Sequence, residues 1–185
     1  MRVAYQNVGR GSTNAHVLFQ WGARENMDII FVGEAWRDRD GGGNTQQRGG
    51  YVMGAGFGKN RLVVGYWKKE LKEEIRIILE SKRAIGREIG GKFIGAVYGA
   101  AGGNQEGMED WLHSLEGVVR GQSGILLGDW NAHCEEWDME SREDGKGKVL
   151  KEWMERNGFE LVQPDGAMWC MFRKDEISNS TIDLV

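Results

Sequence analysis

The sequence predicts a mixed-sheet α/β or α+β sandwich, and three observations carry that reading. Short β-prone runs alternate with segments of helical periodicity, and antiparallel hairpin signals appear late in the chain. Glycine is abundant, 29 residues against the single Pro164, which points to many tight turns. Apolar residues make up 40 % of the chain and include eight Trp, six Phe and four Tyr, which excludes disorder over most of its length.

The elements follow in order. Arg2–Asn7 alternates apolar and polar residues and reads as a strand, closed by the loop GRGS. Ser12, Thr13 or Asn14 is expected to cap a helix running to about Asn26, with Ala15, Leu18, Phe19 and Gly22 on one face. Ile29–Val32 is a wholly apolar run between Asp28 and Gly33, the pattern of a buried strand, and it delivers Glu34 just past its end. The glycine-rich loop RDRDGGGNTQQRGG reads as mobile. Tyr51–Met53 and Leu62–Trp67 are strands around a turn-rich GAGFGKN. In KKELKEEIRIILESKR the charge favours helix and IRIIL favours strand; the apolar part is read as strand. Arg83–Ile89 and Phe93–Tyr98 flank Gly90-Gly91 and form the clearest hairpin, because two adjacent glycines suit a primed turn.

Met108, Trp111, Leu112, Leu115, Val118 and Val119 recur at three and four, which makes Gln105–Arg120 an amphipathic helix. Gly124–Gly128 is a buried strand that presents Asp129, Trp130, Asn131, Ala132 and His133 at its C-terminal end. An acidic loop then leads to a helix through Val149, Leu150, Trp153 and Met154, stopped by Asn157-Gly158. Phe159–Val162, Met168–Phe172 and Thr181–Val185 read as the last strands. No linker or repeat interrupts the chain, so residues 1–185 are expected to form a single domain, in keeping with the length.

Composition narrows function. The net charge is −4, which disfavours a module that holds nucleic acid through a wide basic face, yet suits an enzyme that gathers carboxylates around a metal. No run reaches the length of a bilayer span and no apolar leader follows the N-terminus, so the reading is intracellular with no membrane partner. Two cysteines, Cys134 and Cys170, allow at most one bridge. Together with His133 they are too loosely spaced for a zinc site.

Three strand ends carry groups suited to a hard cation: Asn7, Glu34, and Asp129 with Asn131. Strand ends on one sheet edge converge in open α/β folds, and oxygen donors suit Mg²⁺ bridging to a phosphate. A carboxylate to orient water, a cation to polarise phosphate and donors for the developing charge outline phosphoester hydrolysis. Each piece alone has a plainer reading. Asp129 and Asn131 are ordinary turn formers, Glu34 a solvated loop residue, and Tyr98 an aromatic at the rim of a core. Asp183, between Ile182 and Leu184, must face solvent or hold a partner. Arg10, Arg37, Arg39 and Arg48 lie in loops near these ends, placed either to meet DNA phosphates or simply to solubilise.

Taken in order, QNVGRG, VGEAW, AVYGAAG, LLGDWNAH and STIDLV resemble the endonuclease/exonuclease/phosphatase family, over nearly the whole chain. The NAH after GDW, the later Trp137 and the STIDLV ending make it most similar to the endonuclease domain of non-LTR, LINE-type retrotransposons. The resemblance implies a four-layer sandwich of two mixed β-sheets flanked by helices. It implies Mg²⁺, with Mn²⁺ as a substitute, held by Glu34 with support from Asn7. Asp129 would orient and activate water, Asn131 would help hold water and scissile phosphate, Tyr98 would donate to the phosphate, and Asp183 would orient a histidine. Arg10, Arg37 and His133 are candidate substrate contacts. The implied partners are DNA and a reverse transcriptase domain in cis or in a parent polyprotein, and a eukaryotic element would place the protein in the nucleus.

The match fails at one point. The family's Ser-Asp-His is absent, since the chain ends two residues after Asp183, and His16, His113 and His133 stand elsewhere. The expectation is a shortened or decayed domain, lacking the final strand or strands and impaired as a target-DNA nicking enzyme, because losing a positioned acid/base typically costs ~10² to 10⁴ in rate. Ala35 and Ala100 stand where relatives often carry Pro. The alternatives are another phosphodiesterase or phosphomonoesterase of the superfamily, or a non-catalytic relic of the fold.

Overall fold

The computed structural model describes the chain apart from residues 36–46, 56–60, 100–101, 103, 138–143, 163–168, 174–175, 181–182 and 185. At 47–48, 55, 72–74, 169–173, 176–180 and 183–184 it describes the backbone alone. The described elements are β1 (Val3–Asn7), α1 (Ser12–Arg24), β2 (Ile29–Gly33), β3 (Gln47–Arg48), β4 (Tyr51–Ala55), β5 (Val63–Lys68), a 3₁₀ turn (Lys69–Glu74), β6 (Ile75–Glu80), β7 (Ala84–Ile89), β8 (Lys92–Tyr98), α2 (Gln105–Val119), β9 (Gly124–Asp129), α3 (Gly145–Asn157), β10 (Trp169–Arg173), β11 (Glu176–Ser180) and β12 (Asp183–Leu184). They fall into two compact units, Met1–Tyr98 with Ser123–Gly128, and Gly99–Gln122 with Asp129–Val185.

The first unit holds a mixed sheet in the order β1-β2-β5-β4-β3. β1 and β2 run parallel, Asn7 opposite Gly33, so their C-terminal ends share one edge. β5 joins β2 antiparallel. All five residues of β2 are buried, as a fully apolar strand requires. α1 lays Ala15, Leu18, Phe19 and Gly22 on this sheet, where Phe19 meets Tyr66 edge-on at 4.8 Å. The second sheet of this unit carries β9, β8, β7 and β6 in that order, with antiparallel β6–β7 and β7–β8 pairs. Gly90 and Gly91 take φ values of 57° and 73°, the left-handed pair a primed hairpin turn demands.

Arg87 of β7 joins the two sheets of this unit. Its guanidinium donates to the Gly54 and Leu79 carbonyls and pairs with Glu80 at 3.0 Å, and it lies over the Trp67 ring. Burial lowers its pKa, against the pull of Glu80.

In the second unit α2 buries Met108, Leu112, Leu115 and Val119, and Asn104 caps it by accepting from the Gly107 amide at 3.0 Å. α3 packs on α2, capped by Asp144 at one end and by left-handed Gly158 at the other. Trp130 sits within ring-contact distance of both Trp111 and Trp153. β10 and β11 form an antiparallel hairpin.

Two expectations are corrected. The α1 cap is Gly11, with no side-chain bond, because the Asn14 amide turns back to the Val8 carbonyl at 3.2 Å instead. Phe159–Val162 is not a strand: the Phe159 amide closes the α3 terminus on the Met154 carbonyl, and its ring stacks on Trp153 at 5.1 Å, so helix capping claims the segment. The glycine-rich loop expected to be mobile falls largely outside the described residues. Among the described residues no helix is long and apolar enough to cross a membrane.

Candidate active site

Parallel pairing of β1 and β2 positions the candidate residues of the first unit. Beyond their ends the chain turns tightly: the Val8 amide donates to the Gly33 carbonyl at 3.0 Å and the Arg10 amide to the Glu34 carbonyl at 2.8 Å. Asn7 Oδ1 accepts from the Gly9 amide at 2.9 Å, which fixes the orientation of the Asn7 amide. Gly33 packs so closely against the Tyr5 hydroxyl that a Cβ would collide with it.

Glu34 itself takes a φ of +43°, a left-handed conformation that costs a residue with a Cβ about 1 to 2 kcal/mol. The strain is held in place by the Arg10 amide. Its half-buried carboxylate meets two donors on one oxygen: Asn7 Nδ2 at 3.2 Å and the Tyr98 hydroxyl at 2.6 Å, both donating to Oε1. Tyr98 ends β8 with its ring buried, so this bond joins the two sheets of the first unit. Oε2 has no hydrogen-bond partner among the described residues. A carboxylate clamped through one oxygen and open at the other, beside an amide, is a hard-oxygen donor set that fits Mg²⁺, which binds through one or two carboxylates and keeps several waters. Among the described residues no group of three or more His, Cys, Asp or Glu gathers as a metal cluster.

The second unit holds the other candidates. Asp129 is 2 % exposed, and its Oδ1 accepts from the Asn131 amide at 3.1 Å, the turn-forming bond expected of such a pair. Asn131 has φ +49° and sends its Nδ2 to the Gly99 carbonyl at 3.1 Å, while the Gly99 amide donates to the Asp129 carbonyl at 2.7 Å. Gly99 is thus a third member of the turn that the motif reading missed. His133 is half-buried; its amide donates to Asp144 Oδ1 at 3.3 Å and its carbonyl accepts from the Asp144 amide at 3.0 Å. Asp144 also caps α3 through the Gly147 amide, an N-cap signal readable in the D-G-K-G string.

The structure therefore brings Asn7, Glu34 and Tyr98 together, and Asp129 with Asn131. Arg10 is exposed and serves the Glu34 backbone with its own amide. Asp183 lies on β12, where only the backbone is described, and Arg37 lies outside the described residues.

Residues 94–185 match the model of a family described as endonuclease-reverse transcriptase. No curated protein matches the chain. Among solved structures, the endonuclease domain of TRAS1, a telomere-specific non-LTR retrotransposon, superposes with a TM-score of 0.73 at 16 % identity, over 99 % of this chain and 83 % of that one. An AP endonuclease from Archaeoglobus fulgidus gives 0.68 at 15 % identity, over 100 % and 86 %. The 3′-5′ exonuclease NExo from Neisseria meningitidis gives 0.67 at 19 %, over 100 % and 85 %. At these identities the likeness is one of fold. It bears out the expected two-sheet α/β architecture and the resemblance to the endonuclease/exonuclease/phosphatase family and its retrotransposon branch.

Proposed function

We propose that this chain, which carries the fold of the endonuclease/exonuclease/phosphatase family and matches the endonuclease-reverse transcriptase model over residues 94–185, is a Mg²⁺-dependent DNA endonuclease. It nicks one strand of target DNA and leaves a 3′ hydroxyl from which a reverse transcriptase, in cis or in a parent polyprotein, extends. In a eukaryotic host this places it in the nucleus. The observation that supports the reading most is the Glu34 carboxylate, strained at φ +43°, bonded through Oε1 to Asn7 and Tyr98 and open at Oε2. That the solved structures sharing the fold include two endonucleases and a 3′-5′ exonuclease supports a nucleic-acid substrate.

Glu34 and Asn7 would hold the cation, Mg²⁺ or Mn²⁺ in its place, which when bound supplies charge stabilisation to the phosphate oxygens. Every other role belongs to the chain. Asp129 orients the attacking water and accepts its proton as the water oxygen bonds to phosphorus and the P–O3′ bond breaks. Asn131 holds the water against the phosphate, and Tyr98 donates to a phosphate oxygen. Asp183, which the resemblance pairs with a histidine, would orient a water that protonates the departing 3′ oxygen. Arg10, Arg37 and His133 contact flanking phosphates.

The test is nicking of supercoiled plasmid with Mg²⁺, with chelator, and by Glu34→Ala and Asp129→Ala proteins. The reading expects nicking that chelator abolishes and that each variant lowers by ~10² or more. Equal nicking in chelator, or indifference to both variants, overturns it. An abasic-site duplex and a 3′-recessed duplex run alongside separate plain endonuclease action from the activities of the relatives.

A further inference from the structure

Tyr98 is read above as a phosphate donor, a role that begins only when DNA arrives. The geometry points to an earlier one: we infer that Tyr98 is a positioning residue for the metal ligand, its hydroxyl fixing the Glu34 carboxylate so that Oε2 alone faces the cation before any DNA binds. The inference rests on the metal-dependent reading above.

Three observations carry it. The Tyr98 hydroxyl donates to Glu34 Oε1 at 2.6 Å, in the range of a charge-assisted bond to a carboxylate. Asn7 Nδ2 donates to the same oxygen at 3.2 Å, so the two donors together take the lone pairs of Oε1 that a bidentate cation would need. The Tyr98 ring is 8 % exposed at the end of β8, and the backbone of Glu34 is pinned by the Arg10 amide at 2.8 Å, so both partners arrive on fixed supports. A carboxylate on a short loop otherwise swings about its χ angles, and each freed rotamer dilutes the one that binds. Hydrogen-bonded outer partners of a metal ligand typically contribute 10- to 100-fold in metal affinity. The phenol also lends specificity of binding mode: with Oε1 engaged, the carboxylate offers one oxygen, which suits a small octahedral cation better than Ca²⁺, whose carboxylate ligands are often bidentate.

The experiment measures Mn²⁺ alone, without DNA, by electron paramagnetic resonance of the free ion, for the wild-type chain, Tyr98→Phe and Asn7→Ala. Far-ultraviolet circular dichroism and melting temperature accompany each, since the phenylalanine variant removes one oxygen and keeps the ring. The expected result is a Kd about tenfold or more weaker for Tyr98→Phe with an unchanged spectrum, and a comparable loss for Asn7→Ala. A Kd within twofold of wild type in Tyr98→Phe overturns the inference and returns Tyr98 to the phosphate alone. Should the wild-type chain itself bind no Mn²⁺, the metal-dependent reading falls too, an outcome distinct from an unchanged variant.

Discussion

Gly99 and Trp130 stand so close that the Trp130 carbonyl oxygen lies well inside contact distance of the point a Gly99 Cβ would occupy. The same turn carries the Gly99–Asp129 bond at 2.7 Å and the Asn131–Gly99 bond at 3.1 Å. A methyl there meets backbone, which has no rotamer to yield. Gly99→Ala is therefore expected to destabilise by about 1 to 3 kcal/mol and to displace Asp129 and Asn131 together. Thermal melting reads the first effect. Plasmid nicking reads the second, with a loss approaching that of Asp129→Ala; a variant that melts and nicks as wild type would refute the packing.

The loop that carries His133 is held from behind. A Cβ on Gly147, in the first turn of α3, would strike the His133 carbonyl, and Asp144 binds both the His133 amide and the Gly147 amide. Gly147→Ala is expected to shift the His133 segment and raise KM for DNA, leaving kcat less affected, since His133 is assigned to substrate contact. Steady-state kinetics on a defined oligonucleotide separate the two, and a pure kcat loss would contradict that assignment.

Much of this was legible in the sequence. β2 declares itself because IIFV has no polar residue to face water, and the β7–β8 hairpin because Gly90-Gly91 admits positive φ at both positions. The α2 stripe, read as Met108, Trp111, Leu112, Leu115, Val118 and Val119, is a period-3.6 pattern; four of the six are buried, and Trp111 and Val118 are half-buried at its margins. What was not legible is long-range. Tyr98 and Glu34 lie 64 residues apart, and their bond depends on how two sheets stack, which no local spacing encodes. Phe159–Val162 looked like a strand because aromatic and β-branched residues favour both strands and helix-end contacts, and the neighbouring Trp153 decided the matter. Gly99 escaped notice because its role is an absent side chain.

Asp28 ties the start of β1 to the end of β5. Its carboxylate accepts from Lys68 Nζ at 2.9 Å and from the Arg2 amide at 2.8 Å, and the Lys68 bond, foremost, holds its pKa below the ordinary value. A depressed folded-state pKa means stability that is fully present above the unfolded value of about 3.9 and is lost as pH falls through the folded value. Melting temperature should therefore fall as the wild-type chain is acidified below about pH 4. Asp28→Asn should melt lower at neutral pH and show a shallower acid limb. Parallel acid limbs for the two proteins would show that Asp28 is not the linked group.

Arg87 presents the sharpest stability test, because a charge that is 1 % exposed has few ways to be satisfied. It bonds the carbonyls of Gly54, Leu79 and Gly86 and the Glu80 carboxylate, while its Nε has no partner among the described residues. Removing it leaves those carbonyls bare, opens space beside Trp67 and strips Glu80 of its nearer cation, leaving Arg61 at 3.8 Å. Breaking a buried pair from one side typically costs about 3 to 5 kcal/mol, so Arg87→Ala should lower the urea midpoint severely. Arg87→Met restores most of the volume and none of the donors. It should recover part of the loss, because Glu80, 22 % exposed, can turn to water. If methionine recovers nothing, the hydrogen bonds rather than the packing hold the two sheets of this unit together; if it recovers everything, the guanidinium adds no net stability and the filled space beside Trp67 is what matters.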